Sequence, residues 1–206
     1  WDFLSHPAHG SMNAGGSATI RCRRKGIERM ILKGALCLTL CAFVLICPPA
    51  ASAEVGVDLG VQYGFDADSG EEFFHYYGLA GAVESKDFWE WGSGWSVDQG
   101  LTLTAGGLHA GSDDGFFAAI GPRIDLNLPG GWLTVTASIR AGGMTAHRYG
   151  DEDLGGWFTF AEDIGVRWNI SPEVSVGYLF QHISNANVYD ENPGVEFHII
   201  EVRYHF

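Results

Sequence analysis

Cysteine is missing from most of this chain. Its four cysteines, Cys22, Cys37, Cys41 and Cys47, all precede Glu54, so no disulfide framework can staple the residues that follow. Lysine is scarce, and charged residues of both signs make up only 18 % of the 206 residues. Positive charge is scarcest where it would matter. Beyond Ala53 there are 6 Lys+Arg against 23 Asp+Glu, a formal net charge of −17. That excludes nucleic acid as a partner, since phosphate backbones need a basic face. Nothing beyond Ala53 has the periodicity of a long amphipathic helix. What the chain does have is glycine, 29 residues, and aromatics, 13 %, in a length that suits one domain.

The first 53 residues read as separate from the fold. "MILKGALCLTLCAFVLICPPAASA", residues 30–53, has the form of a secretory signal peptide. Lys33 lies near its start, an uncharged apolar run follows, and Ala51-Ser52-Ala53 is a small-x-small cleavage site with cutting expected before Glu54. The rival is a membrane anchor, but the apolar run is shorter than the ~20 residues a spanning helix needs. Cys47 raises a lipoprotein reading, which Pro48 and Pro49 fit poorly. Residues 1–29 read as a non-native or unstructured extension, with Met30 the start; a long basic leader from Met12 is the other reading. The folded domain is then 54–206.

From Glu54 the pattern has period two, with turn residues at intervals. Strands are expected near 54–66, 72–84, 95–110, 115–127, 132–142, 157–169, 173–185 and 195–206. Eight strands of about ten residues or more match what a tilted strand needs to cross a bilayer. "LPGG" at 128–131 and "SPE" at 171–173 are tight turns, whereas 144–156 and 187–194 are longer and polar. Short turns alternating with long loops are the mark of an outer-membrane barrel. In the fifth strand Leu133, Val135, Ala137 and Ile139 alternate with Thr134, Thr136, Ser138 and Arg140. In the last, Ile200, Val202, Tyr204 and Phe206 alternate with Glu201, Arg203 and His205. The apolar set should meet lipid and the polar set the lumen, with Trp132, Trp157 and Trp168 in aromatic girdles. The fold class expected is all-β, an eight-stranded antiparallel transmembrane β-barrel in the bacterial outer membrane. A soluble lipocalin-like barrel would reverse the faces.

One segment carries chemistry. "QHISNANVYDENPGVE", residues 181–196, places His182 and Ser184 two apart on a strand, hence on one face, with Glu196 at the start of the next strand. Antiparallel pairing can bring Glu196 beside His182, and the parity of all three points outward, at the outer end of the wall. Polar groups facing lipid cost free energy, so a cluster there needs a reason. One is acyl transfer to water, with Ser184 as nucleophile, His182 as general base, Glu196 orienting the imidazole and Asn185 donating to the oxyanion. The other is a polar hairpin cap with no reaction.

"HISNANVYDENPGVEFHIIEVRYHF" resembles the C-terminal hairpin of the PagL-type lipid A 3-O-deacylases, eight-stranded outer-membrane esterases. That family's motif is His-x-Ser-Asn, a Pro- or Asn-rich loop, and a glutamate twelve residues after the serine. His182, Ser184, Asn185 and Glu196 match it, as does "NPG" at 192–194. The terminal "VRYHF" resembles the signal by which such barrels are recognised for assembly. The resemblance implies a Ser184-His182-Glu196 esterase that removes the acyl chain at the 3-position of lipid A, with no metal and no cofactor. Lipid A, or lipopolysaccharide, in the outer leaflet would be its partner. The family commonly has glycine two residues after the motif asparagine, where its backbone serves the oxyanion; Asn187 stands there, a residue that tolerates the left-handed conformation. Two readings compete with the deacylase: a non-enzymatic structural or adhesion barrel, and an esterase acting on phospholipid. A lipid-facing site also leaves room for a homodimer that shares or shields it, although no residue points to one.

Other polar residues fit less well. His75, His109, His147 and His198 are scattered and none has metal-ligand spacing; His198 shares the outward face and suits a girdle-like role. Glu162 shares parity with Phe158, Phe160, Ile164 and Val166, so it points to lipid unless its strand carries a bulge or it meets an unseen neighbour. The acidic loop "GDEDLGG" reads as a solvated loop before a cation site.

Overall fold

The structure, a computed structural model, describes residues 54–67 and 72–206. The signal segment, the extension before it and all four cysteines lie outside the described residues. Eight strands close into an antiparallel barrel: β1 (Val55–Asp66), β2 (Phe74–Trp91), β3 (Trp95–Ala110), β4 (Asp113–Asn127), β5 (Leu133–Met144), β8 (Phe158–Asn169), β9 (Val174–Ser184) and β10 (Val195–His205). β10 pairs with β1, so no backbone edge is left open, which is the condition for strands in hydrocarbon. A small hairpin, β6 (Arg148–Tyr149) with β7 (Glu152–Asp153), sits in the loop between β5 and β8.

Each strand follows its alternation. Leu59, Val61, Leu79, Leu101, Leu103, Ile120, Ile164, Ile200 and Val202 are all exposed. A barrel meant for water would not present such a band; it is the lipid face of a transmembrane one. Trp89, Trp91, Trp132 and Trp168 are exposed at the short-turn end, and Trp157 at the other. β2 runs further than the expected 84. A register irregularity between Ser85 and Trp89 absorbs the charged run there, and the Asp87 N–H donates to Asp98 Oδ1 at 2.6 Å. Loop alternation has one exception, a tight turn at 111–112 on the long-loop side.

The lumen has two halves. Toward the short turns it holds a charge network. Arg167 makes two bonds to Asp125 (3.0 and 3.1 Å), Arg123 donates to Asp58 (2.9 Å), and Arg203 pairs with Glu201 and Asp58. Gln62 donates to Glu201 at 2.6 Å. Such buried pairs hold when every charge has a counter-charge. Toward the long loops the inward face changes character, and Phe74, Tyr76, Leu108, Phe117, Leu179, Ile183, Phe197 and Ile199 pack together, capped by Tyr149 and Leu154. The expectation of a polar lumen is therefore right for the short-turn half only. The inward face of β10 is apolar at its start, at Val195, Phe197 and Ile199, because that half of the barrel is filled by packed rings. Burial pushes the Tyr149 phenol up to about 12. A solid interior gives the wall above it a rigid backing.

Candidate active site

β9 and β10 form one hairpin, and their register sets Glu196 directly opposite His182. His182 Nδ1 lies 3.5 Å from Glu196 Oε1, with both side chains about one-third exposed or more. The separation is longer than a formed hydrogen bond; contacts of this kind tighten when substrate binds. Ser184 is the last residue of β9, on the same outward face as His182, and faces Phe160 of β8. Hydroxyl, imidazole and carboxylate therefore share the outside of the wall at its long-loop end.

Glycine shapes this corner. Gly194, the end of the Asn-Pro-Gly sequence, has φ +77°, and a Cβ on it would come within 2.9 Å of His182 Cε1. The imidazole packs against backbone that only glycine leaves bare. Beside it, Asp66, Glu72, Glu152, Pro193, His182 and Glu196 line a cavity of about 140 Å³ with acidic walls. A larger cavity of about 480 Å³ opens at the other end of the barrel, far from His182, and is the polar mouth of the lumen.

The asparagines divide their work. Asn185 points into the barrel and is 1 % exposed. Its Nδ2 donates to Leu154 O (2.9 Å) and Glu191 O (2.6 Å), and its backbone N–H donates to Asn192 Oδ1 (2.9 Å). The donors expected to serve an oxyanion are thus engaged in pinning the loops of 145–157 and 185–194 together. Asn187 adopts φ +64° directly after Ala186 at φ +53°, the left-handed conformation that asparagine tolerates better than most residues. Asn192 Nδ2 donates to Asn187 Oδ1 at 3.3 Å. Asn192 and Gly194 matched a motif in the sequence; their work became visible only in the fold.

Glu162 has its neighbour. β8 shows no bulge, and the register puts Glu162 opposite His182 on the side away from Glu196. His182 is therefore flanked on the outward face by a carboxylate from each adjacent strand. No sequence signal could have shown this, since it depends on the β8–β9 register. On the loop above, His147 Nδ1 and Arg148 Nε bind Asp153 at 2.9 and 2.7 Å. The hydrogen bond from His147, joined by the Gly155 N–H and Arg148, holds the Asp153 carboxyl below its usual range.

Comparison with known proteins identifies the family and the fold. The family model described as lipid A 3-O-deacylase (PagL) matches residues 75–205. A curated relative, the lipid A deacylase PagL of Bordetella bronchiseptica, is 28 % identical over 72 residues; that match spans 35 % of this chain and 40 % of the relative's length. The crystal structure of the outer membrane enzyme PagL has the same fold, with a TM-score of 0.60 at 20 % identity, covering 71 % of this chain and 97 % of that one. With a family match over most of the barrel and the same closed eight-stranded architecture, this chain is an outer-membrane β-barrel that belongs to the lipid A 3-O-deacylase (PagL) family.

Proposed function

We propose that this barrel hydrolyses the ester-linked acyl chain at the 3-position of lipid A, using Ser184, His182 and Glu196. The observation that carries the reading is the outward-facing pair of Glu196 and His182, 3.5 Å apart, with Ser184 on the same face. An outer-leaflet lipid lies alongside that face, so its ester can reach the wall without entering the barrel.

In this reading Ser184 Oγ attacks the ester carbonyl while His182 takes its proton, and Glu196 stabilises the imidazolium. The backbone N–H of Asn187, in its left-handed turn just after the serine, serves the oxyanion, and Asn185 holds the loop that carries it. The imidazolium returns its proton to the departing sugar oxygen, leaving an acyl-serine. Water, deprotonated by the same imidazole, then releases the fatty acid. The packed aromatic half of the lumen keeps β9 and β10 in register throughout.

The test is product analysis with purified, refolded protein in mixed micelles of lipid A and phospholipid. Release of one 3-hydroxy fatty acid from lipid A, with phospholipid untouched, is the expected result. Release from phospholipid would assign a different ester. No release of either, from a folded barrel, would favour the structural or adhesion reading.

A further inference from the structure

A phosphorylated headgroup finds no free cation at the site itself. The cavity beside His182 is lined by Asp66, Glu72 and Glu152. Of the six Lys and Arg beyond Ala53, Arg123, Arg140, Arg167 and Arg203 are buried in the lumen. Lys86 lines the lumen mouth at the far end, and Arg148 is taken by Asp153. On the outer wall near the long loops, imidazoles are able to present N–H donors to an anion.

Three of these form a row. The register runs from Phe180 to His198, Phe65, His75, His109 and Asp114, each directly opposite the next on neighbouring strands. The row begins two residues below Glu196. At about 4.8 Å between strands, His75 and His109 lie about 5 Å apart, and His198 to His109 spans about 14 Å. Each Nδ1 is held by a side-chain oxygen: Tyr178 OH for His198 (2.6 Å), Tyr63 OH for His75 (3.1 Å) and Asp114 Oδ1 for His109 (2.7 Å). Rings stack on them as well, Tyr178 on His198 and both Tyr63 and Tyr77 on His75. Among the described residues no protein atom hydrogen-bonds any of the three Nε2 atoms.

A tyrosine hydroxyl donating to Nδ1 selects the tautomer with the proton on Nε2, and in that tautomer His198 and His75 present N–H donors while uncharged. A carboxylate only accepts, so Asp114 takes the Nδ1–H of His109, and Nε2 becomes a second donor when that ring is protonated. His75 and His109 are directly opposite each other and close enough to share one anion with several terminal oxygens, whereas Phe65 stands between His75 and His198. A metal ion would need further ligands, and no group of three or more His, Cys, Asp or Glu among the described residues could hold one.

We propose that His75 and His109, the adjacent pair within this row, bind the phosphate monoester of a glycolipid headgroup lying beside the cleavage site. The proposal rests on the deacylase reading only in naming that glycolipid. A phosphomonoester offers three terminal oxygens to the pair, whereas the phosphodiester of a phospholipid offers two and carries less charge.

The experiment uses the folded barrel in decyl maltoside micelles. Imidazole ¹⁵N spectra are followed during titration with dodecyl phosphate, a monoester, and with dodecylphosphocholine, a diester. Saturable Nε2 shifts at His75 and His109 are expected with the monoester, at about tenfold lower concentration than with the diester. His147, off the row, should stay still. Tyr63→Phe, which keeps the ring and removes the hydroxyl that orients His75, should weaken the response severalfold in a barrel that still folds. Absent shifts, equal response to both amphiphiles, or an equal response at His147 would overturn the proposal. The readout needs no turnover. A barrel that deacylates lipid A with a silent pair refutes the phosphate site and leaves the deacylase; a responsive pair on a barrel that releases no fatty acid does the reverse.

Discussion

Gly194→Ala isolates the packing of the base. Residue 194 has φ +77°, so alanine there costs about 1–2 kcal/mol of stability from the left-handed backbone alone. The new Cβ would also sit 2.9 Å from His182 Cε1 and 3.3 Å from Ile183 O, against a carbon–carbon optimum of about 3.5–4.0 Å. The imidazole must retreat by about 0.5–1 Å. Displacement of a catalytic group on that scale costs up to about 100-fold in rate, so kcat should fall about 10- to 100-fold. Gly131→Ala supplies the control: φ is +67°, and nothing lies within 4 Å of its Cβ position. It should show the same loss of about 1–2 kcal/mol with wild-type turnover. Fatty-acid release in micelles gives the rates, and urea unfolding in lipid vesicles gives the stabilities. A folded Gly194→Ala barrel within twofold of wild-type activity would refute the claim that this glycine sets the position of His182.

Glu196→Gln should reduce kcat more than tenfold. Glu162→Gln, removing a carboxylate about 5 Å from the imidazolium across the β8–β9 pair, should cost ~1 kcal/mol at an effective dielectric near that of water, about fivefold in kcat; equal rates for Glu162→Gln and wild type would show that β8 contributes no field. Asn185→Ala strands Leu154 O and Glu191 O and should cost ~1–3 kcal/mol, read as faster hydrogen exchange at Gly155. Acid should loosen the same loop. The Asp153 carboxyl is held below its usual range, so its contribution is complete above about pH 4 and is lost as pH falls through the lowered folded-state value; Gly155 exchange, corrected for intrinsic rate, should rise only in that acid range and not between pH 5 and 7. Arg203→Ala removes the counter-charge that Glu201 and Asp58 share but leaves Asp58 with Arg123 and Glu201 with Arg167, and should cost ~1–3 kcal/mol in urea unfolding, whereas a neutral result would show that lumen water replaces the arginine.

Alternation along the chain was enough to find the barrel. β3 stands over residues 95–110, as the pattern marked it, and the other seven strands fall within a few residues of theirs except where the Ser85–Trp89 irregularity lets β2 continue to Trp91. The β6–β7 hairpin was not legible, because two residues per strand carry no periodicity. The apolar half of the lumen is legible in Phe197 and Ile199, which share parity with Glu201 and Arg203. At the site, strand parity placed His182, Ser184 and Glu196 on one face, and the hairpin made the meeting of His182 with Glu196 foreseeable. What needed coordinates was register between strands distant in sequence. It put Glu162 beside His182, and it gathered His198, His75 and His109, which looked scattered along the chain, into one row. Asn185 shows a different limit: its parity already turned it inward, but only the loop carbonyls show what its donors are used for.

The most direct measurement of the central claim is mass spectrometry of lipid A from cells expressing the full chain, against cells expressing Ser184→Ala at equal levels in the outer membrane. Loss of one 3-hydroxyacyl mass with the native chain alone is the predicted result, and it would establish both the deacylation and its nucleophile. Identical lipid A spectra from the two, with both barrels folded, would contradict the account; so would deacylation that persists in Ser184→Ala.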